Sequence, residues 1–238
     1  MPSLVYLKKS LSTNDEIEDY FTLNKNENTA VYTFDQTKGR GQYGNTWNTF
    51  TDQNLAFSFC VQKDKICYTN SLFNYYTAVL FQKFFANVTN SEVKIKWPND
   101  LILKHKKFAG ILIEAKKMNN VDVFIIGIGV NVLQSDFQNL PKAGSILTET
   151  GKSLDLHKLA EDLFSYLNEN ISMEISEEKI LRNFNEHLFR KNEVSVFEID
   201  GLRQNGIIKK ADCDGFLWID LENGGLQKFF HKEIELLY

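Results

Sequence analysis

The chain has only three cysteines in 238 residues, Cys60, Cys67 and Cys213, and no two of them stand in a C-x-x-C pair. Neither a disulfide framework nor a zinc site is suggested by that usage, and reduced thiols are expected. Proline is equally scarce, at three, and no Pro- or Ser-rich linker divides the chain. The longest apolar runs, near 108–115 and 123–130, fall well short of the roughly 20 residues a membrane span needs. The first nine residues hold no signal-peptide core. A cytoplasmic protein without membrane contact is therefore expected. Positive charge is not in excess either: 27 basic against 31 acidic residues leave a formal net charge of −4. No overall field exists to draw in nucleic acid.

What is present is apolar material, 43% of the residues, enough to bury a full core in one large domain or a large and a small one. Helical spacing marks 13–21, 68–85, 156–168 and 177–188, with Ser or Asn placed to cap several starts. Period-two alternation marks strands at 30–34, 55–61, 93–97, 108–114 and 121–130. Strands crowd residues 29–130 without regular helical crossovers, which favours an α+β fold with a mixed sheet over a doubly wound one. Beyond about residue 191 the texture changes. Asp200-Gly201, Asn205-Gly206, Asp214-Gly215 and Asn223-Gly224 each read as hairpin turns, and their spacing predicts a small β-barrel packed on the larger part.

Gly39-Arg40-Gly41-Gln42-Tyr43-Gly44 formally satisfies G-x-G-x-x-G. A dinucleotide site needs a helix straight after the loop, whereas Asn45, Thr46, Asn48 and Thr49 are turn formers and the next regular element expected is the strand at 55. A Walker loop lacks its Gly-Lys-Ser/Thr, and kinase companions are missing. Three close glycines nevertheless expose backbone N–H groups to an anion, and Arg40 can grip a carboxylate or phosphate; an ordinary hairpin loop is the plain alternative.

In Val93-Lys94-Ile95-Lys96-Trp97-Pro98-Asn99-Asp100 the alternation puts Lys94 and Lys96 opposite Val93 and Ile95, before a turn at Pro98. If Val93 faces the core, Lys96 points to the sheet's other face and needs an anionic partner. Along 121–130, Phe124, Ile126, Ile128 and Val130 share one face while Gly127, Gly129 and Asn131 share the other. Repeated glycines inside a strand signal that a ligand or another backbone lies against them, or close sheet packing. Ser12-Thr13-Asn14 can cap a helix, and Lys107 stands close to Gly110 in an apolar strand.

Taken in order, Ser12-Thr13-Asn14, Gly39-Arg40-Gly41, Lys96-Trp97-Pro98-Asn99-Asp100, the 107–114 segment and Gly127-x-Gly129-x-Asn131 resemble the biotin protein ligases. The most specific piece is K-W-P-N-D, and the resemblance runs from near the N-terminus to about residue 150. It implies a largely antiparallel mixed sheet with flanking helices, like the class II aminoacyl-tRNA synthetases, over residues 1–188, and an SH3-like barrel over 189–238. It also implies the reaction: biotin and MgATP give biotinyl-5′-AMP, and a lysine of a biotin carboxyl carrier protein then takes the biotin. Lys96 and Arg40 are the catalytic candidates. Ser12, Thr13, Asn14, Gln36, Gly39, Arg40, Gly41, Gln42, Lys96, Gly110 and Gly127 would line the biotin site. Arg40, Lys96, Asn99, Lys107, Gly129 and Asn131 would meet ATP, while the magnesium ligands are not marked.

Two departures stand out. Many members carry arginine where this chain has Gln42 and Asn45, which makes the loop look more like a lid than a phosphate clamp. An N-terminal helix-turn-helix found in some members is missing, so no DNA binding is expected; a homodimer through a sheet edge is compatible with the sequence. The rival readings are a lipoate or octanoate ligase or transferase and a non-catalytic biotin sensor. A polar Ser-Thr-Asn segment suits a ureido ring better than a linear fatty chain.

Overall fold

The computed structural model describes residues 1–24, 27–47, 49–137 and 140–238. The chain opens with strand β1 (Ser3–Tyr6), helix α1 (Thr13–Leu23) and strand β2 (Thr29–Thr33). β1 and β2 pair in parallel with α1 as their crossover; four residues are too few for a clear period-two signal, so β1 is invisible in the sequence. The glycine loop follows as a small hairpin, β3 (Gly39–Arg40) and β4 (Thr46–Trp47), around a 3-10 turn at Gln42–Gly44. That corrects the expectation of no regular element before residue 55: Gly41 N donates to Asn45 O at 2.7 Å, and the backbone of 46–47 pairs with 39–40. Asn48 lies outside the described residues. The exclusion of a dinucleotide loop stands, because only this three-residue turn follows the first glycines.

Strand β5 (Asn54–Gln62), helix α2 (Asn70–Thr89) and strands β6 (Val93–Lys96), β7 (Asp100–Leu103), β8 (Lys106–Met118) and β9 (Val121–Asn131) complete the main sheet. Its order is β1-β2-β5-β9-β8-β7-β6, and every ladder except β1–β2 is antiparallel. α2 starts where Thr69 Oγ1 accepts from Leu72 N and stops at Asn90, whose left-handed backbone (φ 50°) breaks the helix. Helices α3 (Ile146–Thr150), α4 (Leu156–Asn170) and α5 (Glu177–Glu186) follow, capped by Ser145, Asp155 and Ser176.

The alternation of the strands sorts side chains into two layers. Leu55, Phe57, Phe59 and Val61 of β5, Phe124 to Val130 of β9 on alternate positions, and Val93 and Ile95 of β6 pack with α2, α4 and α5 in the principal core. Ile17 and Phe21 of α1 meet Val31, Cys60, Val123 and Ile125 on the opposite face. α1 covers only part of that second face. The remainder, over β8, β7 and β6, is left for the site.

The C-terminal part is β10 (Val194–Ile199), β11 (Leu202–Ala211), β12 (Leu217–Leu221), β13 (Gly225–Phe229) and β14 (Glu235–Leu237), in the order β13-β12-β11-β10-β14. Three of the four expected turns fall between strands, but Asn205-Gly206 does not. It sits inside β11, paired with Val196 and Ser195, and a Cβ on Gly206 would stand 2.9 Å from Leu221 and 3.1 Å from Phe197. Glycine is there to let strands pack closely, a use that composition cannot tell from a turn. The end strands β13 and β14 are not paired with each other, so the sheet is open where a closed barrel was expected. It docks on the larger part as anticipated: Asn185 exchanges hydrogen bonds with the backbone of Ala211 at 2.7 and 2.9 Å, and Phe197, Ile208 and Leu217 join the principal core.

Candidate active site

The uncovered face of the main sheet holds a row of directly paired residues running across five strands. Ala56 of β5 faces Gly129 of β9, Gly129 faces Gly110 of β8, Gly110 faces Asp100 of β7, and Asp100 faces Lys96 of β6. One step along, Ser58 pairs with Gly127 and Gly127 with Leu112. The result is a floor of small residues that ends in opposite charges. Three strand spacings separate Gly127 from the strand of Lys96, roughly 14 Å, a length suited to an elongated small molecule. A cavity of about 210 Å³ lies on this floor.

At one end the cavity is polar and neutral. Ser12 stands at the N-cap position of α1 yet makes no side-chain cap bond, contrary to the capping role its position allows. Thr13 N and Oγ1 both donate to Gln36 Oε1, at 2.8 and 3.2 Å. Ser58 Oγ lies 2.7 Å from Thr13 Oγ1 and 2.6 Å from Asn14 Oδ1, and Asn14 Nδ2 donates to Glu114 Oε2 at 2.7 Å. Thr13, Asn14 and Ser58 are all buried. Gly127 is what allows this, since a Cβ there would run into the Asn14 carboxamide.

At the other end Lys96 Nζ is 3.9 Å from Asp100, and Lys107 Nζ is 2.7 Å from the same carboxylate. The anionic partner that Lys96 requires is therefore four residues along its own hairpin. Burial, the strongest influence, holds the Lys96 ammonium below the ordinary lysine range, and Lys107 and Lys142 push the same way against Asp100. Trp97 is steadied from beneath, its Nε1 donating to Tyr75 Oη at 3.3 Å while Tyr75 stacks on Phe184. Asn99 Nδ2 donates to Ile111 O at 2.6 Å, and Ile111 N donates to Asn99 O. Those bonds tie the turn after Lys96 to β8.

Lys107 reaches the site through an irregularity. Simple alternation would set it opposite Gly110, but the β7–β8 register shifts so that Ile102 faces Lys107 and Leu101 faces Ala109. Phe108, the extra residue, turns into the principal core, and Lys107 joins Gly110 on the cavity face.

Of the expected residues, Ser12, Thr13, Asn14, Gln36, Arg40, Gly41, Gln42, Lys96, Asn99, Lys107, Gly110, Gly127 and Gly129 line the cavity. Gly39 and Asn131 do not. A Cβ on Gly39 would press on Trp47 O and the Gln36 carboxamide, so its smallness serves the β3–β4 hairpin. Asn131 is buried, and its Nδ2 donates to Gly144 O at 3.0 Å, which ties β9 to the segment before α3.

Arg40 is at the edge, where its guanidinium donates to both oxygens of Asp15 at 2.5 and 2.8 Å and lies 3.4 Å from Glu114. The Asp15 pair raises the arginine's proton affinity, and the same bond, its largest influence, holds the Asp15 carboxyl below its usual range.

The cavity wall also contains Trp47, Asp100 and His231, none of which the sequence singles out as a site residue. The Trp47 indole lies against Gly129, its Nε1 without a hydrogen-bond partner among the described residues and the Lys107 ammonium 5.6 Å from the ring centre. Asp100 reads in the sequence as part of a turn and as the end of the K-W-P-N-D run, with no site role of its own. His231 has no local signal at all, because it arrives from the C-terminal sheet.

The fold that carries this site is shared with solved biotin protein ligases. The Aquifex aeolicus biotin protein ligase in complex with biotin and ATP superposes with a TM-score of 0.80 at 24% identity, over 99% of this chain and 98% of that one; at that identity the likeness is one of fold. The bifunctional ligase/repressor BirA of Bacillus subtilis is 29% identical over 157 residues, 64% of this chain and 48% of that protein. Its Salmonella typhimurium counterpart is 27% identical over 238 residues, 94% of this chain and 71% of that protein. The chain spans about half the length of the first curated relatives it matches. The model of the Biotin/lipoate A/B protein ligase family matches residues 6–131, and the chain belongs to that family.

Proposed function

We propose that this chain is an ATP-dependent ligase that forms biotinyl-5′-AMP from biotin and MgATP and passes the biotin to a lysine of a biotin carboxyl carrier domain. The observation that carries the reading is one cavity whose glycine floor joins a neutral hydrogen-bonding end to a half-buried ammonium. The neutral end, Ser12, Thr13, Asn14 and Gln36, offers donors and acceptors to a ureido ring. The acyl chain would run along the floor beside Trp47, and Lys96 would meet the carboxylate and the α-phosphate. In the first step a biotin carboxylate oxygen bonds to the α-phosphorus and pyrophosphate leaves. In the second the carrier amine, having lost a proton, bonds to the acyl carbon and AMP leaves. Lys96 offsets the negative charge that builds on the α-phosphate oxygens in the first step and on the acyl oxygen in the second.

Among the described residues no three His, Cys, Asp or Glu side chains converge. Magnesium commonly takes one or two carboxylates together with substrate phosphates, and Asp100 is the carboxylate inside this cavity. The carrier domain as acceptor follows from similarity to a Mycobacterium tuberculosis biotin–[acetyl-CoA-carboxylase] ligase. No helix among the described residues is long and apolar enough to cross a membrane, in keeping with a cytoplasmic enzyme. The C-terminal sheet is read as an SH3-like unit beginning near residue 189, with the class II synthetase-like part before it.

ATP–pyrophosphate exchange measured in parallel with biotin, lipoate and octanoate tests the assignment. Exchange with biotin alone is expected. Exchange only with lipoate or octanoate would move the chain to the other branch, and binding of biotin without exchange would make it a sensor.

Two further results are expected. The alkaline limb of kcat/KM for adenylation should fall below the free lysine value of about 10.4, because deprotonating Lys96 removes the charge it supplies and its own burial makes that easier. Lys96→Arg should move the limb upward, since a guanidinium stays charged above pH 12; an unmoved limb would assign it to another group. Arg40→Ala removes the cation that Asp15 and Glu114 share beside the cavity and leaves Asp15 with Lys116 at 3.5 Å. Retention of the adenylate should weaken by about 2 to 4 kcal/mol, read as faster release of labelled intermediate.

A further inference from the structure

The tip of the glycine loop is exposed, yet it touches the C-terminal segment. Tyr43 stacks on the His231 imidazole, ring centroids 4.5 Å apart and planes 24° from parallel. Lys232 Nζ donates to Tyr43 O at 3.2 Å and lies 5.0 Å from the centre of the same ring. Both sides of the contact hold unusual backbone: Tyr43 has φ 55° and Lys232 has φ 72°. Non-glycine residues persist in the left-handed region when the surroundings over-determine them, and such outliers gather at ligand clamps. His231 meets more than the loop. It lies 5.8 Å from the Trp97 ring and lines both the cavity above the glycine floor and an adjoining one of about 440 Å³ between the C-terminal sheet and the main sheet. Lys96 and Asn45 line both as well.

We propose that His231 and Lys232, on the segment between β13 and β14, form a latch that holds the glycine loop over the cavity by clamping Tyr43, so that the C-terminal sheet supplies positioning residues for the site. The proposal rests on the ligase reading for its consequence, retention of the acyl-adenylate, and on geometry alone for the latch. The contact joins residues 188 positions apart through an aromatic stack, a cation–π contact and one hydrogen bond, while the loop's own closure consists of a two-residue ladder and the bonds Gly41 N to Asn45 O and Asn45 N to Gln42 O. A loop with so few internal bonds opens easily by itself. Arg40 ties the base of the loop to Asp15 and Glu114, but Gln42 and Asn45, being uncharged, give its tip no ionic hold on a phosphate, and the contact made by the tip at Tyr43 is with the C-terminal segment. The imidazole acts here as a flat ring: burial, first, and then the neighbouring Lys96 ammonium lower its affinity for a proton, and a neutral ring stacks on Tyr43 without adding to the cationic end of the cavity.

The test uses the full chain. In hydrogen exchange without ligands, His231→Ala should speed the Gly41 and Asn45 amides by about tenfold, whereas His231→Phe, which keeps a flat ring, should stay within about threefold of the parent. With biotin and ATP, His231→Ala should release labelled adenylate about tenfold faster with KM for ATP raised more than kcat is lowered, and His231→Phe should recover most of the retention. Tyr43→Ala combined with His231→Ala should release no faster than either alone, the signature of two groups acting as one. Unchanged exchange in His231→Ala would overturn the latch, and so would a Phe variant as leaky as the Ala variant. Unaltered release despite a loosened loop would overturn the retention role. If the parent forms no adenylate with any acid, the ligase reading falls, and the ligand-free exchange still decides the latch.

Discussion

Lys96→Ala is expected to cut biotin-dependent ATP–pyrophosphate exchange by about 10²- to 10³-fold, the cost of removing a preorganised donor from a charge-developing centre, while the protein stays folded. The two halves of that expectation have separate physical grounds. Catalytically, Lys96 is the ammonium that ends the row Ala56, Gly129, Gly110, Asp100, Lys96, and Lys107, the other lysine lining the cavity, is already committed to Asp100 at 2.7 Å. Structurally, Lys96 is a charge held against its preference. Its proton affinity is lower in the folded chain than in the unfolded one, so the protonated side chain disfavours folding at neutral pH, and this penalty fades as pH rises through the lowered value. Removing the side chain also leaves Asp100 paired with Lys107. The melting temperature of Lys96→Ala should therefore equal or exceed that of the parent, and a folded variant with undiminished exchange would remove Lys96 from the chemistry.

Gly127→Val tests the opposite end. The new side chain would overlap the Asn14 carboxamide, and Asn14 has nowhere to go without giving up Ser58 at 2.6 Å and Glu114 at 2.7 Å. Overpacking of this kind costs about 1–3 kcal/mol of stability, read as a lower melting temperature. The loss of two well-made polar contacts should weaken biotin binding by about 10²-fold, read in the KM for biotin during exchange, with a smaller change in the KM for ATP. Gly127→Ala should follow in the same direction. A valine variant with unchanged KM for biotin would show that the neutral end is not where the acid sits.

Much of this site is legible in the amino-acid sequence. The lysine before Trp97-Pro98-Asn99-Asp100, the paired glycines at 127 and 129, and the Ser-Thr-Asn segment are each visible because side-chain direction in a strand or at a helix start follows from local backbone geometry. The same rule locates the cores of β5 and β9 and the four longer helices. It fails wherever the deciding contact is remote. Asn131 carries the right chemistry on the right face, yet the segment before α3 claims its amide. Arg40 is free in the sequence and bound to Asp15 in the fold. The glycine face reads as room for a ligand, and Trp47 from the hairpin lies across Gly129. Asn205-Gly206 has turn composition and serves as a strand crossing beneath Leu221 and Ile219.

By itself, then, the sequence determined the α+β class, the glycine floor, the polar helix start and the ammonium that faces away from the core, since periods of 2 and 3.6 residues arise from sterics between near neighbours. Only the tertiary structure decided that a bulge at Phe108 turns Lys107 onto the cavity face, that Asp100 stands between two lysines, and that His231 reaches the glycine loop from 188 residues away. Those outcomes depend on strand register and on the packing of one sheet against another, where a shift of one residue reverses a side chain's face. For the stack of Tyr43 on His231 no short window of the sequence contains both partners.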